Sequence, residues 1–193
     1  MPPILRWCPT GPFAFLPIHA AGIYDGEMTV SVSDYVVSSY TPTIATLLTP
    51  APRPNHSFEM LVVIQPKTLP CTVQELQKIE GRISNRFLFR LGIPGAPASV
   101  EEVVTRLSSA SIAHFACRGH QNVRNPLDSF LILENGAELK VSRIMQQSMP
   151  NGSLAFLCAC ETAMEDKTLP EEAIHLSAML LFAGFRGVVA TMW

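Results

Sequence analysis

Apolar and polar positions alternate along the chain in a way that sets short strands between helices. Met60–Ile64 (MLVVI) is a continuous apolar run closed by Pro66, the pattern of a strand covered on both faces of a parallel sheet. Ile112–Cys117 has the same character and ends at Arg118-Gly119-His120, which reads as a turn. Leu154–Leu157 follows the Asn151-Gly152 turn, Phe130–Leu133 stops at Asn135-Gly136, and Gly187–Met192 gives a final strand. Helical spacing is clearest over Val73–Leu91, where Val73, Leu76, Ile79, Ile83 and Phe87 share one face and Gly92 is the stop. Ser99 and Glu102 form a capping box opening Val100–Leu107. Val141–Gln147 is a short helix, and Pro170-Glu171-Glu172 starts another that runs to Ala183 and is stopped by Gly184.

The first part of the chain is less regular. Residues 1–12 are rich in proline and glycine and read as an irregular lead-in. Phe13–His19 is strand-like, confined to an edge by Pro17, which lacks a ladder donor. Thr29–Tyr40 is dense in β-branched and aromatic residues and reads as strand. Thr41-Pro42-Thr43 opens a short helix at Ile44–Leu48, and the proline-rich Thr49–Ser57 is a loop. Strands alternating with helices predict an α/β fold: a three-layer α/β/α sandwich on a mostly parallel sheet, in one domain spanning residues 1–193. The chain halts on Trp193 straight after an apolar strand, which suggests that C-terminal elements are missing.

Composition narrows the function more than the fold. With 48% hydrophobic and 16% charged residues, the chain is not a disordered or solvating protein. A net charge of −2 without a basic block excludes a nucleic-acid footprint. Phe13–Tyr24 is too short, and too interrupted by Pro17, His19 and Gly22, to span a membrane, and the N-terminus lacks a signal-peptide pattern. Five cysteines without a framework spacing fit a reduced, cytoplasmic protein. Phosphate-loop, dinucleotide and nucleophile-elbow motifs do not occur, and no cofactor is expected.

Candidate chemistry gathers at two strand ends, Ile112–Cys117 with Arg118-Gly119-His120, and Leu154–Cys158 with Cys160. Ligands and reacting groups in open α/β sheets collect just beyond the carboxyl ends of strands. A thiol nucleophile needs a base at hydrogen-bond distance, and neighbouring parallel strands would bring a His beyond one to a Cys beyond the other. The separation of about forty residues resembles the caspase arrangement of His before Cys. The bland reading is that free cysteine is simply a small buried hydrophobe. Cys117 and Cys158 are read as core, and His114 as a core histidine with its hydrogen bonds met. A single Cys-x-Cys falls short of structural zinc spacing, so no metal site is expected.

At these residues the sequence resembles a CHAT domain, the caspase-like domain often found after tetratricopeptide repeats and grouped with separase-type cysteine peptidases. The match is carried by Trp7–Gly22, Ser39–Thr43, His114–Gly119, and Leu154–Ala163 continuing to Leu169–Leu176 and Gly187–Trp193. The resemblance implies a caspase-like sandwich, a peptide or protein substrate or partner, and in related proteins an upstream helical-repeat domain. It places the nucleophile on Cys160, with Cys158 where a serine is usual, and the general base on residue 118, which here is arginine. A guanidinium stays protonated at any working pH and cannot accept the thiol proton, although its charge favours a thiolate.

Three readings stay open at this point. The first is a cysteine peptidase domain impaired in proteolysis by Arg118, or rescued by His120 as substitute base two residues on. Glu165 and Asp166, beyond the nucleophile, would then recognise a basic side chain before the scissile bond, or form a solvated loop. The second is a pseudo-peptidase that keeps the fold as a binding or regulatory module. The third is a metal-bound structural domain using Cys117, Cys158 and Cys160.

Overall fold

The computed structural model describes residues 2–11, 13, 16–26, 29–41, 43–48, 58–120, 122, 124–158 and 175–190. These fall into two compact units, one of residues 2–48 and one of the described residues from 58 onward.

The first unit holds β1 (Ile4–Trp7), β2 (Gly22–Tyr24), β3 (Thr29–Ser31), β4 (Val37–Tyr40) and the short helix α1 (Ile44–Leu48). β1 pairs parallel with β4, and β2 pairs antiparallel with β3. The His19 ring Nδ1 lies 2.8 Å from the Tyr40 hydroxyl and ties the middle of this unit to β4. Three sequence expectations are corrected here. The lead-in contains a strand, Ile4–Trp7, whose hydrogen bonds come from a distant partner that local composition does not reveal. The described residues of Phe13–His19 form no strand: with no donor on Pro17, the chain turns into a 3-10 helix at Ile18–Ala20. Thr29–Tyr40 is split by a 3-10 turn at Val32–Asp34, where the Asp34 carboxylate accepts from the Ser31 N–H at 2.6 Å. The loop expected at 49–57 lies outside the described residues.

The second unit contains β5 (Met60–Ile64), α2 (Cys71–Glu80), β6 (Leu88–Leu91), α3 (Val100–Ser109), β7 (Ile112–Ala116), β8 (Arg118–His120), β9 (Phe130–Ile132), β10 (Glu138–Lys140), α4 (Val141–Met145), β11 (Leu154–Leu157), α5 (His175–Phe182) and β12 (Val188–Ala190). Five strands make a parallel sheet in the order β12-β11-β7-β5-β6. Side chains alternate across it. Leu61, Val63, Ala113, Phe115, Ala155 and Leu157 pack on one face with residues of α3, α4 and α5. Met60, Val62 and Ile64 pack on the other with Leu76 of α2. The unit is therefore a three-layer caspase-like α/β/α sandwich. The handedness of parallel crossovers explains the layers: the chain steps one way from β5 to β6 and the other way from β6 to β7 and on to β12. Helices of the outward and return steps must lie on opposite faces. All five residues of β5 are buried, as a central strand covered on both faces requires.

The long helix expected over Val73–Leu91 is two elements. α2 ends at Glu80, where Gly81 closes the last turn, and the chain returns as β6. Arg90 clamps this corner, donating to Glu80 Oε1 and Asn85 Oδ1, each at 3.0 Å. Apolar Ile83 and Phe87 continue the helical spacing only by coincidence. Gly92 then adopts φ +88, and a Cβ there would sit 2.0 Å from the Ile64 carbonyl oxygen. Ser99 caps α3 through its hydroxyl, which accepts from the Glu102 N–H at 3.2 Å. The Glu102 carboxylate turns to Arg106 at 2.9 Å instead of closing the capping box.

Arg118-Gly119-His120 is a strand, not a turn. β8 pairs antiparallel with β9, and β9 with β10, forming a small sheet at the carboxyl end of β7. Its inner face carries Leu131, Leu133 and Leu139, all fully buried in the main core. β10 has no signal in the sequence beyond Leu139. The helix start at Pro170–Glu172 and residues 191–193 lie outside the described residues.

Candidate functional site

The sheet order puts β7 and β11 side by side, with Ile112 through Phe115 opposite Leu154 through Leu157. Their carboxyl ends meet: the Cys158 N–H donates to the Phe115 carbonyl at 2.9 Å. The two strand ends that the sequence marks as carrying chemistry are thus adjacent. They also adjoin the point where the connections of β5 and β7 leave toward opposite faces, the position at which open α/β sheets form crevices.

Gln65 is built into that point. It follows β5, is buried, donates its N–H to the Ala116 carbonyl at 3.1 Å, and accepts the Arg118 N–H on its side-chain Oε1 at 2.9 Å. The amide thereby fixes where residue 118 leaves β7. Arg118 is half-buried, and its Nε has no hydrogen-bond partner among the described residues. His120 lies on the same face of β8, because Gly119 between them takes the opposite, buried side. The His120 ring stacks on Phe130, its partner across β8 and β9, with centroids 4.9 Å apart and planes 28° apart. Cys160, Glu165 and Asp166 lie outside the described residues, so their distances to Arg118 and His120 are not part of this geometry.

Of three side chains near the site, two depart from the sequence expectations. Cys117 is core as expected, and burial pushes its thiol up to about 12, with the neighbouring Cys158 adding to the rise. Cys158 is not core: it stands one residue past β11 and is exposed. The apolar run ends at Leu157, and the sheet's pleat turns Cys158 to the α2 face, the side opposite Cys117's packing cluster. His114 is buried, opposite Val62 and Phe156 in register, but it is not hydrogen-bonded as expected. Its Nε2 lies 3.4 Å from Glu75 Oε1, within ion-pair reach but without the geometry of a hydrogen bond, and it makes no hydrogen bond among the described residues. Burial holds this imidazole below its ordinary value, and the Glu75 carboxylate only partly offsets that. Glu75 and Gln65 are therefore the site residues that sequence reasoning missed, whereas Cys158 is named there as a possible metal ligand and only its exposure is unforeseen. Glu75 has one weak signal, an acid on the sheet-facing side of an amphipathic helix beside Leu76; Gln65 has none beyond its place after a buried strand.

A parallel sheet sandwiched by helices, with the carboxyl ends of β7 and β11 side by side, is the architecture of a caspase-like domain. The family model described as CHAT domain matches residues 3–193, and the chain belongs to that family, one of caspase-like cysteine peptidases. A comparison with curated proteins finds no significant match. Among the described residues, no helix is long and apolar enough to cross a membrane.

Proposed function

We propose that the chain is a CHAT domain impaired in peptide hydrolysis, which keeps the caspase-like fold as a module for binding a peptide or protein partner. The observation that carries this reading is Arg118. Family resemblance assigns the general base to residue 118 and the nucleophile to Cys160, and an arginine cannot take a proton from a thiol or return one to a leaving amine. Its backbone is pinned by Gln65 at the end of β7, which supports residue 118 holding the base position in this chain. Charge from Arg118 would still favour a thiolate at Cys160, leaving a nucleophile without an acid partner.

His120 as substitute base is the competing reading. Its ring is held flat on Phe130, and it stands two strand positions beyond Arg118, about 6–7 Å along the chain. Glu165 and Asp166 remain candidates for contacts to a basic side chain of the partner. The test compares hydrolysis of a mixed peptide library by the full chain, Cys160→Ala and His120→Ala. Equal, basal turnover in all three is expected. Turnover by the full chain that is lost in both variants would replace this reading with an active peptidase using His120.

A further inference from the structure

We propose that Glu75, His114 and Cys158 form a binding site for a zinc-class divalent cation on the α2 face of the sheet. One donor atom from each residue lies within 4.8 Å of the other two, and this is the one such group among the described residues. The set combines a carboxylate oxygen, an imidazole nitrogen and a thiol sulfur, the three donor types that zinc accepts together. The resemblance gives none of the three a role in peptide hydrolysis, and Cys117 does not belong to the set: it packs in the core on the other side of the sheet.

The His114 ring is the second, independent observation. Only 6% of the residue is exposed, and its Nε2 points at Glu75 without a hydrogen bond to anything among the described residues. A buried ring nitrogen is ordinarily satisfied. The 3.4 Å between Nε2 and Oε1 is long for a hydrogen bond but matches the edge of a tetrahedral site. Two donors each about 2.0–2.2 Å from a zinc ion lie roughly 3.3–3.6 Å apart. The sheet supplies the rest of the geometry. His114 sits on β7 opposite Phe156 of β11, and Cys158 is two residues beyond Phe156 on the same face. α2 lies over that face and brings Glu75 down beside Leu76, which is buried against β5. Glu75 and Cys158 are the more exposed members, which opens the site to an ion from solvent.

Three protein donors leave one tetrahedral position for water or for a ligand carried by a partner. Binding would replace the thiol proton of Cys158 with the metal and release that proton to solvent. The site stands apart from the pseudo-peptidase reading, since it uses neither Arg118 nor Cys160.

The experiment titrates cobalt(II), and then zinc, into the reduced full chain freed of metal by chelator. One equivalent of cobalt is expected, with a near-ultraviolet thiolate-to-cobalt charge-transfer band that zinc abolishes. Cys158→Ser should remove the band, and Glu75→Gln should weaken zinc binding by at least about tenfold, a loss already typical of outer-shell partners. Cys160→Ala and Arg118→His should leave both readouts unchanged. The proposal is overturned by the absence of saturable binding, by a band that survives Cys158→Ser, by unaltered affinity in Glu75→Gln, or by loss of the band in Cys160→Ala. The first two substitutions are at exposed and half-exposed positions, and an unchanged thermal melt of each metal-free variant secures the comparison.

Discussion

The Arg118 N–H donates to the buried Oε1 of Gln65 at 2.9 Å, which ties the end of β7 to the end of β5. Gln65→Ala removes the acceptor and leaves that N–H facing the space of a lost side chain. Unmaking a hydrogen bond to a buried group costs about 1–3 kcal/mol. Urea unfolding of Gln65→Ala should show a loss in that range with an unchanged denaturant slope. A loss near zero would mean that water replaces the amide and that residue 118 is not fixed this way.

Cysteine reactivity should divide sharply. Cys117 is fully buried with its thiol pushed up to about 12, whereas Cys8, Cys71 and Cys158 are exposed and outside any disulfide. Since the thiolate is the reactive form, native protein treated with iodoacetamide near neutrality should carry label on Cys158 and none on Cys117. Peptide mass mapping reads this directly. Labelling of Cys117 at a rate comparable to Cys158, without unfolding, would contradict the burial.

The same group makes stability depend on alkaline pH. Folding raises the Cys117 value, so the folded chain keeps a proton that the unfolded chain releases. Its contribution is fully present below the unfolded value of roughly 8.5 and is lost as pH rises toward about 12. Denaturant midpoints should fall across this window, and fall less steeply in Cys117→Ala even though that variant starts less stable. Parallel slopes in the two proteins would exclude Cys117 as the source.

Gly92 is held by geometry on both counts, φ +88 and the Ile64 carbonyl 2.0 Å from where a Cβ would sit. Gly92→Ala should cost at least about 2 kcal/mol, the range of a strained backbone with a contact added. Thermal unfolding tests it, and an unchanged midpoint would show that β6 can shift away from β5.

Much of the sheet is legible in the sequence because its strands are short apolar runs with turn residues at their ends. Met60–Ile64 and Leu154–Leu157 are found where the pattern puts them. What fails is what depends on distant partners. Ile4–Trp7 becomes a strand through Val37–Tyr40, and Arg118–His120 through Phe130–Ile132; neither partner is visible from local composition. Leu88–Leu91 is hidden by helical spacing that runs past Gly81. At the site, adjacency of the two strand ends follows from reading them as neighbours in one parallel sheet. The meeting of Glu75 with His114 does not, because it needs the crossing of α2 over β7, which residue spacing cannot fix. The apolar strand before Cys158 makes it read as core, but that strand ends at Leu157 and leaves the thiol exposed.

Impaired hydrolysis rests on Arg118, and cleavage of an internally quenched peptide library by the full chain and by Arg118→His tests it most directly. Restoring a general base is worth roughly 10²–10⁴ in rate, so the variant should exceed the unaltered chain by about a hundredfold or more, and Cys160→Ala in the same background should abolish the gain. An unaltered chain that already cleaves as fast as Arg118→His would contradict it.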